Sequence, residues 1–198
     1  MEASAHRFEQ EPHEWRVRSI SVAAKMWCGA VAFFFAAFAF AYFYLKSLDP
    51  NHGWKLGKHV SPSGGLGVSI LAAFLLSGIF LALAARRPED ERSMGIAAII
   101  LALVGVGLQF LQYSVLGFGP SSGGYASVYF GWTAVYALAA LWGIYWMETL
   151  IAASWRARRT ESTELDVSLH RAGLGACSIC WTFFVGIGVI MFVVLYLV

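Results

Sequence analysis

Five long apolar stretches divide the chain, at residues 23–45, 62–85, 94–116, 125–152 and 176–198, with shorter polar stretches between them. A helix needs roughly 20 mainly apolar residues to cross the hydrocarbon core of a bilayer, and each stretch has that length. None alternates with the period of two that marks a barrel strand. The pattern predicts an all-α integral membrane bundle of five transmembrane helices, preceded by a polar N-terminal tail over residues 1–22. Ser61 with Pro62, and Ser93 before Met94, are the expected helix starts, because Ser caps free N–H groups and Pro loses nothing at a first helical position. Four glutamates lie in the tail, and the first apolar run is too long and too aromatic for a signal peptide, so it reads as a retained helix. Residues 156–175, which contain TESTELDVSLHRA, read either as a short interfacial helix capped by Thr160 or Ser162, or as a solvated linker.

Charge gives the five spans a direction. Alternating spans place Arg7, Arg16, Arg18, Lys25, Arg86, Arg87, Arg92, Arg156, Arg158, Arg159 and Arg171 on one side, and only Lys46, Lys55 and Lys58 on the other. The positive-inside rule then predicts a cytoplasmic N-terminus and an outer C-terminus. Composition agrees with the membrane reading, since 59% of the residues are hydrophobic and 13% charged, against about 45–50% apolar in a soluble domain. The basic residues are scattered through connections and form no face suited to a phosphate backbone, which argues against nucleic acid as a partner.

The connection between the third and fourth spans lies within QYSVLGFGPSSGGYASVYFGWT, residues 112–133, which contains no charged residue. It is expected to turn within the outer headgroup layer, with Tyr113, Tyr125 and Tyr129 at interfacial depth.

Ionisable groups inside a span are costly and are functional suspects by default. All five histidines, His6, His13, His52, His59 and His170, are placed in tails or loops, so no span is expected to offer an imidazole to haem iron or copper. The one carboxylate within a span, Glu148, is a candidate proton carrier near the cytoplasmic end, yet its place before Trp155 and Arg156 lets it reach the interface, which is the favoured reading. Cys177 and Cys180 form a CxxC, which supplies two of the four ligands of a structural zinc and reads as a pair of buried thiols. The stripe FFFAAFAFAYFYL reads as lipid-facing or packed surface. Its Ala36, Ala37, Ala39 and Ala41 permit close approach of another helix. Gln109, Gln112 and Ser114 are expected to hydrogen-bond across helices, and Gly105, Gly107, Gly186 and Gly188 to let backbones close up.

The order of these segments and several strings within them resemble subunit III of the haem-copper oxidases, in its shorter five-span bacterial form. The resemblance runs from about Lys25 onward. KMWCGAVAFFFAAFAFAYFYLKS resembles the family's tryptophan-led helix ending in an AYFYLR-like string. GLQFLQYSVLGFGPSSGGYASVYFGWTAVYALAALWG resembles its Q-x-x-E-Y segment, short outer loop and Y-G-S-x-F-F-x-x-T-G-x-H helix. CSICWTFFVGIGVIMFVVLYLV resembles its closing W-x-F-V helix. The family's intramembrane glutamate of the first helix is replaced at or beside Val31, the glutamate of Q-x-x-E by Gln112, and the two histidines by Tyr136 and Ala139. No proton-handling role carries over at those positions. Gln109, Tyr113, Tyr125, Ser127, Phe130, Thr133 and Trp181 are what remains of the family's packing pattern.

The resemblance implies an accessory subunit with no catalytic, cofactor-binding or metal-binding residue of its own. Haem and copper would reside in a partner catalytic subunit I. Subunit II and membrane lipids would be further partners, and the location would be the bacterial cytoplasmic membrane. Ser127 and Gly131 would then be close-packing positions closed to leucine. Three other readings compete: an accessory subunit of a quinol oxidase or nitric oxide reductase, a small transporter, and a scaffold unrelated to respiration. A transporter would need a polar path, for which Glu148, Gln109 and Gln112 are the only candidates and lie near opposite membrane faces. Glu148→Gln is expected to leave assembly and oxidase turnover nearly unchanged. Normal assembly with a large loss of proton uptake would make Glu148 a proton carrier instead.

Overall fold

The structure is a computed structural model and describes residues 13–49, 54, 61–157 and 164–198. Five helices account for nearly all of them: α1 (His13–Ser47), α2 (Gly64–Arg86), α3 (Glu91–Val115), α4 (Gly124–Ala157) and α5 (Glu164–Phe192). A single 3-10 turn, Pro120–Ser122, lies between α3 and α4, and α5 runs on into one π-helical turn, Val193–Leu197. All five are long and apolar enough to cross a membrane, and no strand occurs among the described residues. The protein is thus a multi-pass helical bundle, as the hydropathy pattern predicts.

Helix ends differ from the apolar runs in instructive ways. α1 begins at His13 and α5 at Glu164, each ten or more residues before its apolar run. Residues 164–175 are therefore neither a linker nor a separate helix but the first turns of α5. Thr160, Ser162 and residues 1–12 lie outside the described residues. The cap of α2 is Ser63, two residues beyond the expected start, whose hydroxyl accepts from the Leu66 N–H at 3.5 Å. α3 begins at Glu91, ahead of Ser93. Its first turn places the Glu91 carboxylate at the positive end of the helix dipole, and Ser93 donates back to the Asp90 carbonyl at 3.0 Å.

α2, α3, α4 and α5 close into a four-helix ring, each packed on two ring neighbours, and α1 lies outside against α4 and α5. α1 is the most exposed helix of the bundle, with Phe33 84% and Phe40 70% exposed, whereas its Phe35 and Tyr42 point inward. The aromatic stripe is thus mostly outer surface. At the arginine-bearing end, Arg92 donates to the Ser154 carbonyl of α4 at 2.8 Å and lies over the Trp155 ring. His170 pairs with Glu91 at 2.8 Å. His170 is consequently a helical residue of α5 and not a loop residue, because the helix persists through polar turns that a hydropathy window excludes.

Glycine notches set the spacing inside the ring. Each admits an aromatic or branched side chain and not, as the sequence suggests, a second backbone. A methyl group on Gly143 would lie 2.6 Å from the Trp181 ring, one on Gly105 3.0 Å from Phe74, and one on Gly95 would overlap the Ile151 side chain. Gly107 and Gly186 face nothing within 4 Å. Trp181, seated in the Gly143 notch, donates to Ser77 Oγ at 3.1 Å, and Ser77 donates to the Ala98 carbonyl at 2.8 Å. One relay therefore joins α5, α4, α2 and α3.

Gly143→Ala is expected to lower bundle stability by about 1–3 kcal/mol, the usual range for overpacking a filled site, because the tryptophan ring cannot yield. Gly107→Ala should be neutral or slightly stabilising through helix propensity. Thermal unfolding of both variants in detergent measures this, and equal midpoints would overturn the notch assignment.

Candidate functional site

Polar side chains of the interior gather toward the end of the bundle that carries the 116–123 connection. Three elements converge there: the last two turns of α3, the first four turns of α4, and the C-terminal turns of α5 with its π turn. Gln109 and Gln112 of α3 are 5% and 0% exposed. The Gln112 amide donates to the Ser63 carbonyl at 3.4 Å, tying α3 to the start of α2. The Gln109 carboxamide lies against the Tyr113 and Tyr129 hydroxyls.

Tyr113 and Thr133 join α3 to α4 through a 2.7 Å hydrogen bond. Thr133 spends its own proton on the Tyr129 carbonyl one turn back, at 2.6 Å, so Tyr113 is the donor of the pair. The Tyr113 ring also stacks on Phe130 with centroids 5.2 Å apart. From α4 to α5 run three further ties. Tyr125 donates to the Leu195 carbonyl at 2.7 Å, Tyr129 and Tyr196 share a hydroxyl contact of 3.1 Å, and Tyr136 donates to the Phe184 carbonyl at 3.3 Å. Buried phenols near a polar layer carry large apolar area and still bond their hydroxyls, which is how each is used here.

The charge-free connection is seated against this cluster. Phe118 is buried with its ring 5.8 Å from Tyr129, 5.9 Å from Phe130 and 6.2 Å from Tyr125. Gly123 adopts φ 153°, a conformation that favours glycine, and Ser122 Oγ accepts from the Gly119 N–H at 3.0 Å. Trp54, from the segment before α2, covers Gly124 and meets Tyr42 edge-on at 5.3 Å. The loop is a packed plug over the end of the ring.

Among the residues singled out from sequence, Gln109, Tyr113, Phe130 and Thr133 meet at one α3–α4 seam, Tyr125 sits one layer above, and Trp181 lies apart in the Gly143 notch. Two expectations are revised. Ser127 is exposed, and its hydroxyl bonds the Pro120 and Gly123 carbonyls at 2.8 and 3.0 Å, so it fastens the connection and does not pack helices. A methyl group on Gly131 would meet only Phe38 at 3.7 Å, ordinary contact distance. Glu148 is exposed on α4 near its arginine-bearing end. Ser77 and Tyr196 make interior bonds that the sequence reading passed over, because their partners are distant in the chain, and Tyr136, noted there only as standing in place of a histidine, bonds the Phe184 carbonyl.

Cys177 and Cys180 are both buried and unpaired; Cys180 Sγ points at the Ala24 carbonyl of α1, 3.6 Å away, and Cys28 packs beside it. Among the described residues, no three His, Cys, Asp or Glu side chains are gathered as a metal site would require. Two grooves flank α1: one of ≈ 330 Å³ lined by Trp27, Trp142, Trp146 and Cys180, and one of ≈ 530 Å³ lined by Phe35, Ala39, Trp132 and Gly186. No family model matches the chain, and no curated protein matches it.

With Ser127→Ala, amide exchange across residues 117–123 is expected to accelerate while the thermal midpoint of the bundle changes little. A midpoint loss as large as that of Gly143→Ala would return Ser127 to the packing positions.

Proposed function

We propose that this chain is the cofactor-free subunit III of a haem-copper-type terminal oxidase, holding the catalytic subunit in the bacterial cytoplasmic membrane with its own N-terminus cytoplasmic. The observation that carries the reading is the α3–α4 seam. Gln109, Tyr113, Phe130 and Thr133, four residues of the strings that resemble that family, meet there in direct contact.

Two further features support a supporting role. Several interior polar groups of the described residues are spent on bonds between helices, among them Ser77, Tyr113, Tyr125, Tyr136 and Trp181. Outer surfaces are broad and aromatic, with Trp142 67% and Tyr145 60% exposed beside the exposed face of α1. Such a surface suits lipid and a neighbouring transmembrane subunit. In this reading subunits I and II hold the haem and copper and carry out oxygen reduction, and the present chain stabilises them during turnover and proton pumping.

Purification in mild detergent through a tag on this chain, followed by a reduced-minus-oxidised visible spectrum, tests the proposal. Haem bands together with a copurifying subunit rich in intramembrane histidines are expected. A colourless preparation without such a subunit would overturn it.

A further inference from the structure

Between α2, α3, α4 and α5, beneath the tyrosine cluster, lies a small cavity of ≈ 20 Å³. Its lining is mixed: apolar side chains surround Gln109, Thr133, Tyr136 and Tyr196, and Gly67 and Gly188 form part of the wall. Both glycines bear directly on the polar lining. A methyl group on Gly188 would overlap the Tyr136 hydroxyl, and one on Gly67 would lie 2.5 Å from the Tyr196 ring. The cavity and the phenols that reach it thus depend on the two missing side chains.

Gln109 is nine-tenths buried or more, and although its carboxamide lies against the Tyr113 and Tyr129 hydroxyls, its Nε2 meets no partner at hydrogen-bond distance and angle among the described residues. Buried polar groups are rarely left so, and least of all where no bulk water can reach them. We propose that this cavity is a binding site for one water molecule, held by the Gln109 amide and by the hydroxyls of Tyr136, Tyr196 or Thr133. The volume suits one water and no more. Water bound at two to four polar partners is retained, whereas purely apolar cavities of this kind stay dry.

The acceptor side is equally suited. Tyr136 spends its proton on the Phe184 carbonyl, and Thr133 on the Tyr129 carbonyl, so each hydroxyl still has a lone pair to offer the water. The assignment is indifferent to which way the Gln109 carboxamide is turned. With nitrogen toward the cavity the water accepts; with oxygen toward it the water donates. Such a water bridges Gln109 of α3 to α4 or α5, adding to the direct Tyr113–Thr133 bond between α3 and α4. The inference stands on the cavity alone and is independent of the partner assigned above.

Solid-state NMR of the full chain in liposomes, with ¹⁵N-labelled glutamine, reads the site directly. A magnetisation-transfer peak from water to the Gln109 side-chain amide is expected, persisting at mixing times too short for transfer through the protein. Gly188→Ala, which drives the Tyr136 hydroxyl into the cavity, should abolish that peak while leaving the Gln112 amide signal in place. A wild-type Gln109 amide without a water peak would overturn the proposal. So would a peak that survives in Gly188→Ala with the fold intact. If Gly188→Ala fails to fold, Gln109→Met serves in its place: ordered-water density beside residue 109 in a high-resolution structure of the wild type and its loss in the variant are expected, and a dry wild-type cavity overturns the site.

Discussion

Everything in this bundle is subject to one constraint: a polar atom placed between helices in hydrocarbon has no water to fall back on, so it must find its partner on a neighbouring helix. The Trp181–Ser77–Ala98 relay shows how the constraint organises the fold. Trp181 reaches Ser77 only because Gly143 leaves space for the indole, and Ser77 in turn reaches past its own helix to the backbone of α3. Hydrogen bonding, notch and helix spacing are one device. The same device recurs where Gly188 receives Tyr136, whose hydroxyl then bonds the Phe184 carbonyl. Individually such bonds contribute on the order of 0.6 to 1.7 kcal/mol between membrane helices. Their larger effect is to exclude alternative registers, since a slip of one residue strands both the donor and the ring.

Element existence and the charge-free connection were legible because they depend on local composition. Five runs of sufficient apolar length could become little other than five helices once the membrane was inferred, and a Gly- and Ser-rich segment between two of them had to turn. Helix boundaries were less legible, and for a physical reason. An apolar window ends where the hydrocarbon ends, but α1 and α5 continue into polar turns, where backbone bonding is still favourable and side chains such as Glu14, Arg16 and Asp166 are exposed. Gln109, Tyr113 and Thr133 were recognisable as polar residues in apolar company. Ser77 and Tyr196 carry the same chemistry, yet nothing within ten residues of either announces its partner, which lies 104 residues from Ser77 and 67 from Tyr196.

α1 stands apart from this economy of bonds. Its contacts with α4 and α5 are made by Phe35, Phe38 and Tyr42 in edge and stacked contacts with Tyr136, Phe184, Trp132 and Tyr125, together with the Cys180 thiol against the Ala24 carbonyl. Dispersion and shape dominate here, where the ring helices rely more on hydroxyl and amide bonds. A helix held in that manner can leave grooves on either side, and both large grooves of the bundle do lie along α1. The outer aromatic surface and the two grooves together leave much apolar area exposed along α1.

Gln112 and Tyr136 link the interior to the resemblance. In the proposed resemblance they stand where the oxidase subunit III strings carry a glutamate and a histidine, groups that are costly to hold charged within a membrane helix. Each substitute is neutral and bonds a backbone carbonyl on another helix, Gln112 that of Ser63 and Tyr136 that of Phe184. A neutral donor cannot hold a mobile proton as a carboxylate or imidazole does, but it ties two helices without the cost of a buried charge. Both positions thus meet the demand for a polar group facing a neighbour without burying a charge. Within the α2–α5 ring the two side chains therefore act as fixed ties between neighbouring elements, each spent on one carbonyl.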